Sequence, residues 1–558
     1  MKVRLEDDRV YVECAGLELL KLKTQLAKRI SASLTSGKNF IAFPLSSLVL
    51  VEDLIGHAEV DKSVENALGR FKRHEAARVK SLEIIERNDQ PFLSGNWNNV
   101  LEPAQASAVA AMTVPDLLGL CLFDEQGSGK TVMTIAAFDE LRRLSEIDAM
   151  IVVCPKSMVG EWPKDIAKFI GPGCKVETAE GDQRQKYEAA LRAFDVLVTN
   201  YEGVETMLVS LMASADSRRY LLVVDESYYL KNSDSIRSEN VGKLRLKCQR
   251  CFVLCGTPAP NSSHDLVNQF DLADLGYTFG GFNKSKDPVE DWGKIASLVD
   301  TKGVFIRRLK PEILQHVPEK NFHVVRIELK GKQALMYEKA KSDLVLVLRS
   351  LNNESFKKSL ATYFQRRSAL MQICCCPNAI DPTFSEEPVK YVVLDQLLEK
   401  LVSQGRKVVV WSFYKKSLDD VMARYSQYRP VRVDGSVTQT SARKEAVRSF
   451  QEDPSTMLFV GNPAAAGAGI TLHAAYDAVY LSYSNQAAHY LQSLDRIHRR
   501  GQVADEVNYY LLICKDTVEE TELVRLRQKE VRQHNLLGDQ ITWPTSLDDA
   551  LGELGVHG

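Results

Sequence analysis

The stretch CLFDEQGSGKTVMTI, residues 121–135, decides how the rest of the chain is read. An apolar run ends at Phe123, acid, amide and glycine follow, and Lys130 and Thr131 then open a second apolar stretch of helical character. Gly127 and Gly129, on either side of Ser128, let backbone N–H groups curl around a phosphate without side-chain obstruction. Lys130 would supply a point charge for β- and γ-phosphates and Thr131 an oxygen for magnesium, with the helix N-terminus adding its positive end. The strict pattern G-x-x-x-x-G-K-[ST] asks for glycine five places before Gly129, and Asp124 stands there. Alone, the stretch reads equally as a tight turn or as a variant phosphate grip.

Three further elements favour the grip. LLVVDESYYLKN is an apolar strand that carries Asp225 and Glu226 at its tip. Asp225 would hold magnesium and Glu226 would orient or deprotonate an attacking water. CFVLCGTPAPN ends another strand in Gly256, Thr257 and Pro258, a turn that can set a hydroxyl beside the nucleotide. Later, QSLDRIHRRGQ places Arg496 and Arg499 three apart, which on a helix puts both guanidinia on one face, with Gln492 and Gln502 flanking. Arginines so placed stabilise charge on a transferring phosphoryl group. A charged strand end or a solvated helix face explains each element singly, but not the set.

Around this constellation the composition is that of an ordinary globular chain: 558 residues, 45% hydrophobic and 26% charged. That length implies three or four domains. With 71 basic against 73 acidic residues, bulk charge announces no nucleic-acid partner, so any such surface is a local groove. The start MKVRLEDDRV is not a signal peptide, and Pro115 and Asp116 break the one stretch resembling a membrane span. Eleven cysteines then imply a reducing compartment. Cys248 and Cys251 look like half a zinc site without a second pair nearby, so buried small hydrophobes is the better reading.

LLGLCLF, AMIVVCP, DVLVTN, YLLVVDE and CFVLCGTP are continuous apolar runs alternating with helical stretches, as in a parallel sheet covered on both faces. KVVVWSF, PVRVDGS, TMLFVGN, DAVYLSY and VNYYLLIC form a second set. The expected organisation is α/β: an N-terminal α+β accessory domain (1–92), a first parallel-sheet lobe (93–275), a helical insertion and linker (276–389), a second lobe (390–535) and a tail (536–558). The helical stretch ALGRFKRHEAARVKSLEIIER reads as a solvated basic face, with phosphate contact the lesser alternative.

Together these motifs resemble those of superfamily-two helicases, and within them the SNF-type DNA translocases, whose phosphate loop reads D-E-x-G-x-G-K-T. On that resemblance DEQGSGKT is a family form, the lobes are RecA-like, ATP and Mg2+ are the cofactors, and Thr131 and Asp225 bind the metal. It further implies that Gln105 in LEPAQ reads adenine, that Gly469 in AAAGAGITL joins the nucleotide site, and that Thr199, Asn200 and Thr471 grip a nucleic-acid backbone. Glu226, Asp225, Arg496, Arg499, Thr257 and Gln492 would be the catalytic set, the arginines reaching ATP when the lobes close. The match covers roughly residues 95 to 530. Ser227 and Tyr228 stand where the family has Ala then His or Gln, and Thr471 where it has asparagine. These departures resemble HARP-type annealing helicases and their phage and bacterial relatives. The implied protein is a cytoplasmic microbial or viral ATPase, or a nuclear one if eukaryotic, that tracks double-stranded DNA and remodels branched or forked DNA. Displacement of bound protein such as RNA polymerase, or RNA unwinding, are alternatives.

Overall fold

The computed structural model describes residues 1–6, 8–30, 34–89, 93–259, 262–314, 318–437, 439–464, 470–483, 487–499, 502–531 and 546–556. The chain divides into two compact units between residues 315 and 316.

The first unit opens with a five-stranded sheet of β1 (Lys2–Glu6), β2 (Arg9–Glu13), β3 (Thr35–Ser36), β4 (Phe40–Pro44) and β5 (Glu59–Val60), ordered β3-β4-β2-β1-β5. Its alternating Val3, Val10, Val12, Ile41 and Phe43 bury one small core. This module packs tightly on the segment around Gly280 in the same unit. A Cβ on Gly280 would come 2.2 Å from the Ser46 carbonyl oxygen, so only glycine permits that approach.

The larger sheet comprises β6 (Gly119–Leu122), β7 (Ala149–Cys154), β8 (Val176–Ala179), β9 (Val196–Asn200), β10 (Tyr220–Asp225), β11 (Arg250–Leu254) and β12 (Phe305–Ile306). All its pairings are parallel, in the order β12-β6-β11-β10-β7-β9-β8. Period-two geometry sends Leu221 and Val223 of β10 into one core with Met133, Phe138 and Trp162, and Leu222 and Val224 into the other with Met207, Leu244 and Phe270. Burial on both faces is why these strands are apolar throughout.

The basic helix Lys62–Arg87 is a wall of this unit rather than a free face. Phe71, His74, Ala77 and Ser81 are buried, and Ser81 Oγ donates to the Ala111 carbonyl at 3.1 Å. His74 Nδ1 accepts the Leu118 N–H at 3.2 Å and must be neutral to do so. Burial, reinforced by Arg245, Arg78 and Arg250 and opposed by Glu75, pushes its pKa down to about 3. Between about pH 6.5 and that value the unfolded chain binds a proton that folded His74 refuses, so this contribution to stability is lost as pH falls. Buried Asp274, pushed up to about 6 by desolvation, acts in the opposite sense, so the test is comparative. Denaturant titrations at pH 7 and 5 should show wild type losing about 2 kcal/mol more than His74→Gln, which keeps an acceptor but does not titrate. Equal losses would mean that His74 carries no such linkage.

The second unit holds β13 (Glu319–Ile327), β14 (Val408–Trp411), β15 (Val431–Val433), β16 (Leu458–Gly461), β17 (Asp477–Tyr480) and β18 (Glu506–Cys514), again wholly parallel, ordered β13-β18-β17-β14-β16-β15. Buried ion pairs tie its helices: Lys390 Nζ to Glu519 at 2.7 Å, and Arg367 to Glu522 at 2.8 Å.

The stretch expected as a helical insertion, 276–389, differs in one respect. Besides its helices it contributes β12 to the first sheet and β13 to the second. β12 is two residues long and β13 a largely exposed edge strand, so neither carries the apolar run that marks a buried strand. All eleven cysteines are free and buried. Among the described residues no helix is long and apolar enough to cross a membrane.

Candidate active site

Three adjacent strands, β6, β11 and β10, end at one edge of the first sheet, where open α/β sheets bind ligands. Beyond β6 the chain turns through Gly127 (φ 82°) and Gly129 (φ 91°) into the helix Lys130–Arg143. At Gly129 a Cβ would lie 2.4 Å from Gln105 Nε2. Gln105 itself is fully buried: its Nε2 donates to the Ser128 carbonyl at 2.8 Å and its Oε1 accepts the Glu102 N–H at 3.0 Å. Its carboxamide therefore braces the loop from behind.

Lys130 Nζ donates to the carbonyls of Asp124 (2.7 Å) and Glu125 (3.1 Å), and burial lowers its pKa against the opposing charges of Glu226, Asp124 and Asp225. From β10, Glu226 Oε1 accepts Gln126 Nε2 at 2.5 Å, which joins the acidic pair to the glycine loop. Glu226 holds a left-handed backbone, φ 54°, a conformation costly for a residue with a Cβ. Asp225 Oδ2 accepts Trp162 Nε1 at 3.1 Å, and burial together with the Glu226 charge pushes its carboxyl up to about 7. Ser227 Oγ donates to Gln269, whose amide donates to the Pro258 carbonyl at 2.6 Å, so the acidic pair is also joined to the turn that carries Thr257.

Asp124, where a standard loop has glycine, has no exposed surface. Arg308 clasps it, with Nη2 2.6 Å from Oδ2 and its backbone N–H 2.9 Å from Oδ1. The Lys310 N–H donates to Glu125 at 2.9 Å, and Arg307 donates to the Phe123 and Gly256 carbonyls. Residues 307–310, leaving β12, thus strap the phosphate loop and the Gly256 turn together. The sequence reading missed this strap, although IRRLK facing DE was its visible signal.

Magnesium and a triphosphate fit this edge by the chemistry of its donors. Ser128 Oγ, Glu226 Oε2 and Thr257 Oγ1 are buried without a protein hydrogen-bond partner among the described residues. Leaving such groups unmet is costly, and phosphate oxygens and a metal-bound water are the partners that two hydroxyls and a carboxylate accept. Thr131 stands half-buried at the first turn of the helix.

In the second unit the helix Ala487–Leu494 stops before Arg496, so Arg496 and Arg499 lie in the turn after it rather than on the helix. They still converge: both Nη1 atoms donate to the Ile470 carbonyl, at 3.2 and 3.3 Å, and Arg499 also reaches Thr471 Oγ1 at 2.8 Å. Arg496 is 2% exposed, and Gln492, on the preceding helix, is buried too. Gly469 lies outside the described residues. Of the expected backbone grips, Thr199 has no exposed surface, Asn200 is half-buried and donates to Glu202, and the Thr471 hydroxyl is engaged by Arg499.

The SNF2-related domain family matches residues 35–379, well over half of the chain, and the helicase conserved C-terminal domain matches residues 389–501. The chain belongs to the SNF2-related family. It carries the core of a nucleic-acid-dependent, helicase-type ATPase, a class that uses ATP, typically with Mg2+. A CHD3-type chromatin-remodeling factor of Arabidopsis thaliana is 26% identical over 90% of this chain and 41% of its own length. A human SWI/SNF-related regulator of chromatin, subfamily A member 1, is 30% identical over 72% of this chain and 40% of its own. The chain thus spans about four-tenths of these curated relatives. A Sulfolobus solfataricus SWI2/SNF2 ATPase core in complex with dsDNA aligns over 84% of this SNF2-related chain and 97% of that one, at 21% identity and a TM-score of 0.35.

Proposed function

We propose that this SNF2-related chain is a DNA-dependent ATPase that translocates on double-stranded DNA and remodels branched or forked DNA in replication, recombination or repair. The observation that carries the catalytic part is the joined edge of the first sheet, where one hydrogen-bonded set links Lys130's loop, the Asp225–Glu226 pair and the Thr257 turn.

In this reading Lys130 neutralises the β- and γ-phosphates, and Gly127, Ser128 and Gly129 wrap them. Thr131 and Asp225 would hold the metal, which when bound would supply positive charge to the phosphates. Glu226 aligns a water through its unpartnered Oε2 and takes its proton as the water oxygen bonds to the γ-phosphorus and the bond to the β–γ bridging oxygen breaks. Thr257 and Gln492 order groups around the γ-phosphate, and Arg496 and Arg499 stabilise its charge. Asn200 and Thr471 remain the proposed backbone grips, where contact carries no sequence information. Residues 1–92 are assigned as an accessory domain, with 276–389 joining lobes 93–275 and 390–535.

A second reading, displacement of protein from DNA, is favoured by the chromatin-remodelling names of the relatives. ATP turnover measured with duplex, single-stranded, forked and four-way DNA and with RNA, at one ionic strength, tests the substrate class. Duplex-containing DNA should stimulate most, with forks above linear duplex. Preference for RNA, or none, would overturn the proposal, and equal stimulation by all duplexes would favour the second reading.

A further inference from the structure

A row of tyrosines at the sheet edge takes no part in phosphoryl transfer. Ser227-Tyr228-Tyr229 succeeds the acidic pair where the family pattern has a small residue and then His or Gln. Tyr229 is 40% exposed. Its ring stacks on Tyr228, with centroids 4.5 Å apart, and packs at 5.5 Å on the ring of Tyr201, the residue after β9. Tyr201 is buried, and its hydroxyl donates to the backbone carbonyls of both Asp225 and Glu226. Two aromatic rings, Tyr229 and Tyr201, therefore run from solvent to the hydroxyl that clamps the hydrolytic pair, with Tyr228 stacked on the first.

The clamp acts at a strained point. Glu226 is left-handed, and such a conformation persists only where its surroundings impose it. Tyr201 makes two of the bonds that do so, and its ring packs against that of Tyr229. Tyr229 is followed by half-buried Lys231 and exposed Asn232, and Glu202, the residue after Tyr201, is paired with Arg237 at 2.6 Å. An exposed aromatic among such groups suits a backbone sugar of a nucleic-acid strand, against which the ring can pack while the lysine meets the phosphates.

We infer that Tyr229 is the residue through which a bound nucleic-acid strand reaches the hydrolytic pair, its ring receiving the strand and its packing on Tyr201 setting the clamp on Asp225 and Glu226. Tyr229 is thus a positioning residue for nucleic-acid stimulation of ATP turnover. The inference rests on the reading of this chain as a nucleic-acid-dependent ATPase.

The test reads the ratio of ATP turnover with saturating duplex DNA to turnover without it, for wild type and for Tyr229→Ala, Tyr229→Leu, Tyr229→Phe and Tyr201→Phe, with thermal melts to confirm folding. Tyr229→Ala should lower the ratio about tenfold. Tyr229→Leu, which keeps apolar cover over Tyr201, should do the same, and Tyr229→Phe should restore the ratio. Tyr201→Phe, which keeps the ring and loses the clamp, should lower it as well. An unchanged ratio in Tyr229→Ala overturns the inference, as does a parallel fall of both rates, which a purely structural role produces. Loss of stimulation in Tyr229→Ala but not in Tyr201→Phe overturns the route through Tyr201. A wild type that no nucleic acid stimulates overturns the underlying reading instead, before any variant is compared.

Discussion

Lys130→Ala abolishes ATP turnover, by about 10³ or more, while affinity for duplex DNA changes little. Two losses combine. The ammonium is the side-chain cation that the glycine loop itself brings to the phosphates, and a preorganised charge aimed at a transferring group accounts for effects of this size. The same Nζ also staples the loop through the carbonyls of Asp124 and Glu125, so its removal slackens the cradle as well. DNA affinity depends on other surfaces and is read by fluorescence anisotropy at fixed salt. An alanine variant turning over at the wild-type rate would refute the nucleotide site, and a large loss of DNA binding would place Lys130 in a different role.

Arg496→Lys should lower nucleic-acid-stimulated kcat by about 10³ with a far smaller change in KM for ATP, as expected of a group that acts on the transferring phosphoryl. Lysine keeps the charge but cannot reproduce a planar fork shared between a carbonyl and a phosphate. Arg499 converges on the same Ile470 carbonyl, so the two arginines form one functional unit, and the double variant should be little worse than the single. Retention of stimulated turnover in Arg496→Lys would show the charge alone suffices. Retention in Arg496→Ala would remove the residue from the chemistry.

The architecture was legible because burial on both faces leaves β6, β7, β9, β10 and β11 apolar at nearly every position, a signal that survives without structural knowledge. β8, with its half-buried Glu177 and exposed Thr178, and the edge strands β12 and β13 lack that signal. In the first unit, the residues proposed as catalytic stand in a glycine loop, an Asp-Glu strand tip and a Gly-Thr-Pro turn that follow in that order along the chain, and the fold joins the three at one edge of the first sheet. Partnerships between distant residues were not legible. The sequence does not show that the Gln105 amide donates to the Ser128 carbonyl. Nothing in the sequence ties Tyr201 or Trp162 to the acidic pair, which their polar ends meet in the fold. Arg496 and Arg499 read as helical because their spacing fits, but the helix had already ended at Leu494.

The clasp of Arg308 on Asp124 bears on anyone who would redesign this enzyme. Restoring the standard loop by Asp124→Gly looks like a repair, yet it would strand a guanidinium whose fork is fitted to that carboxylate, and unpair one end of the strap from β12. Loop and strap behave as a matched pair. A grafted nucleotide cradle would be accepted in this scaffold only if residues 307–310 travelled with it.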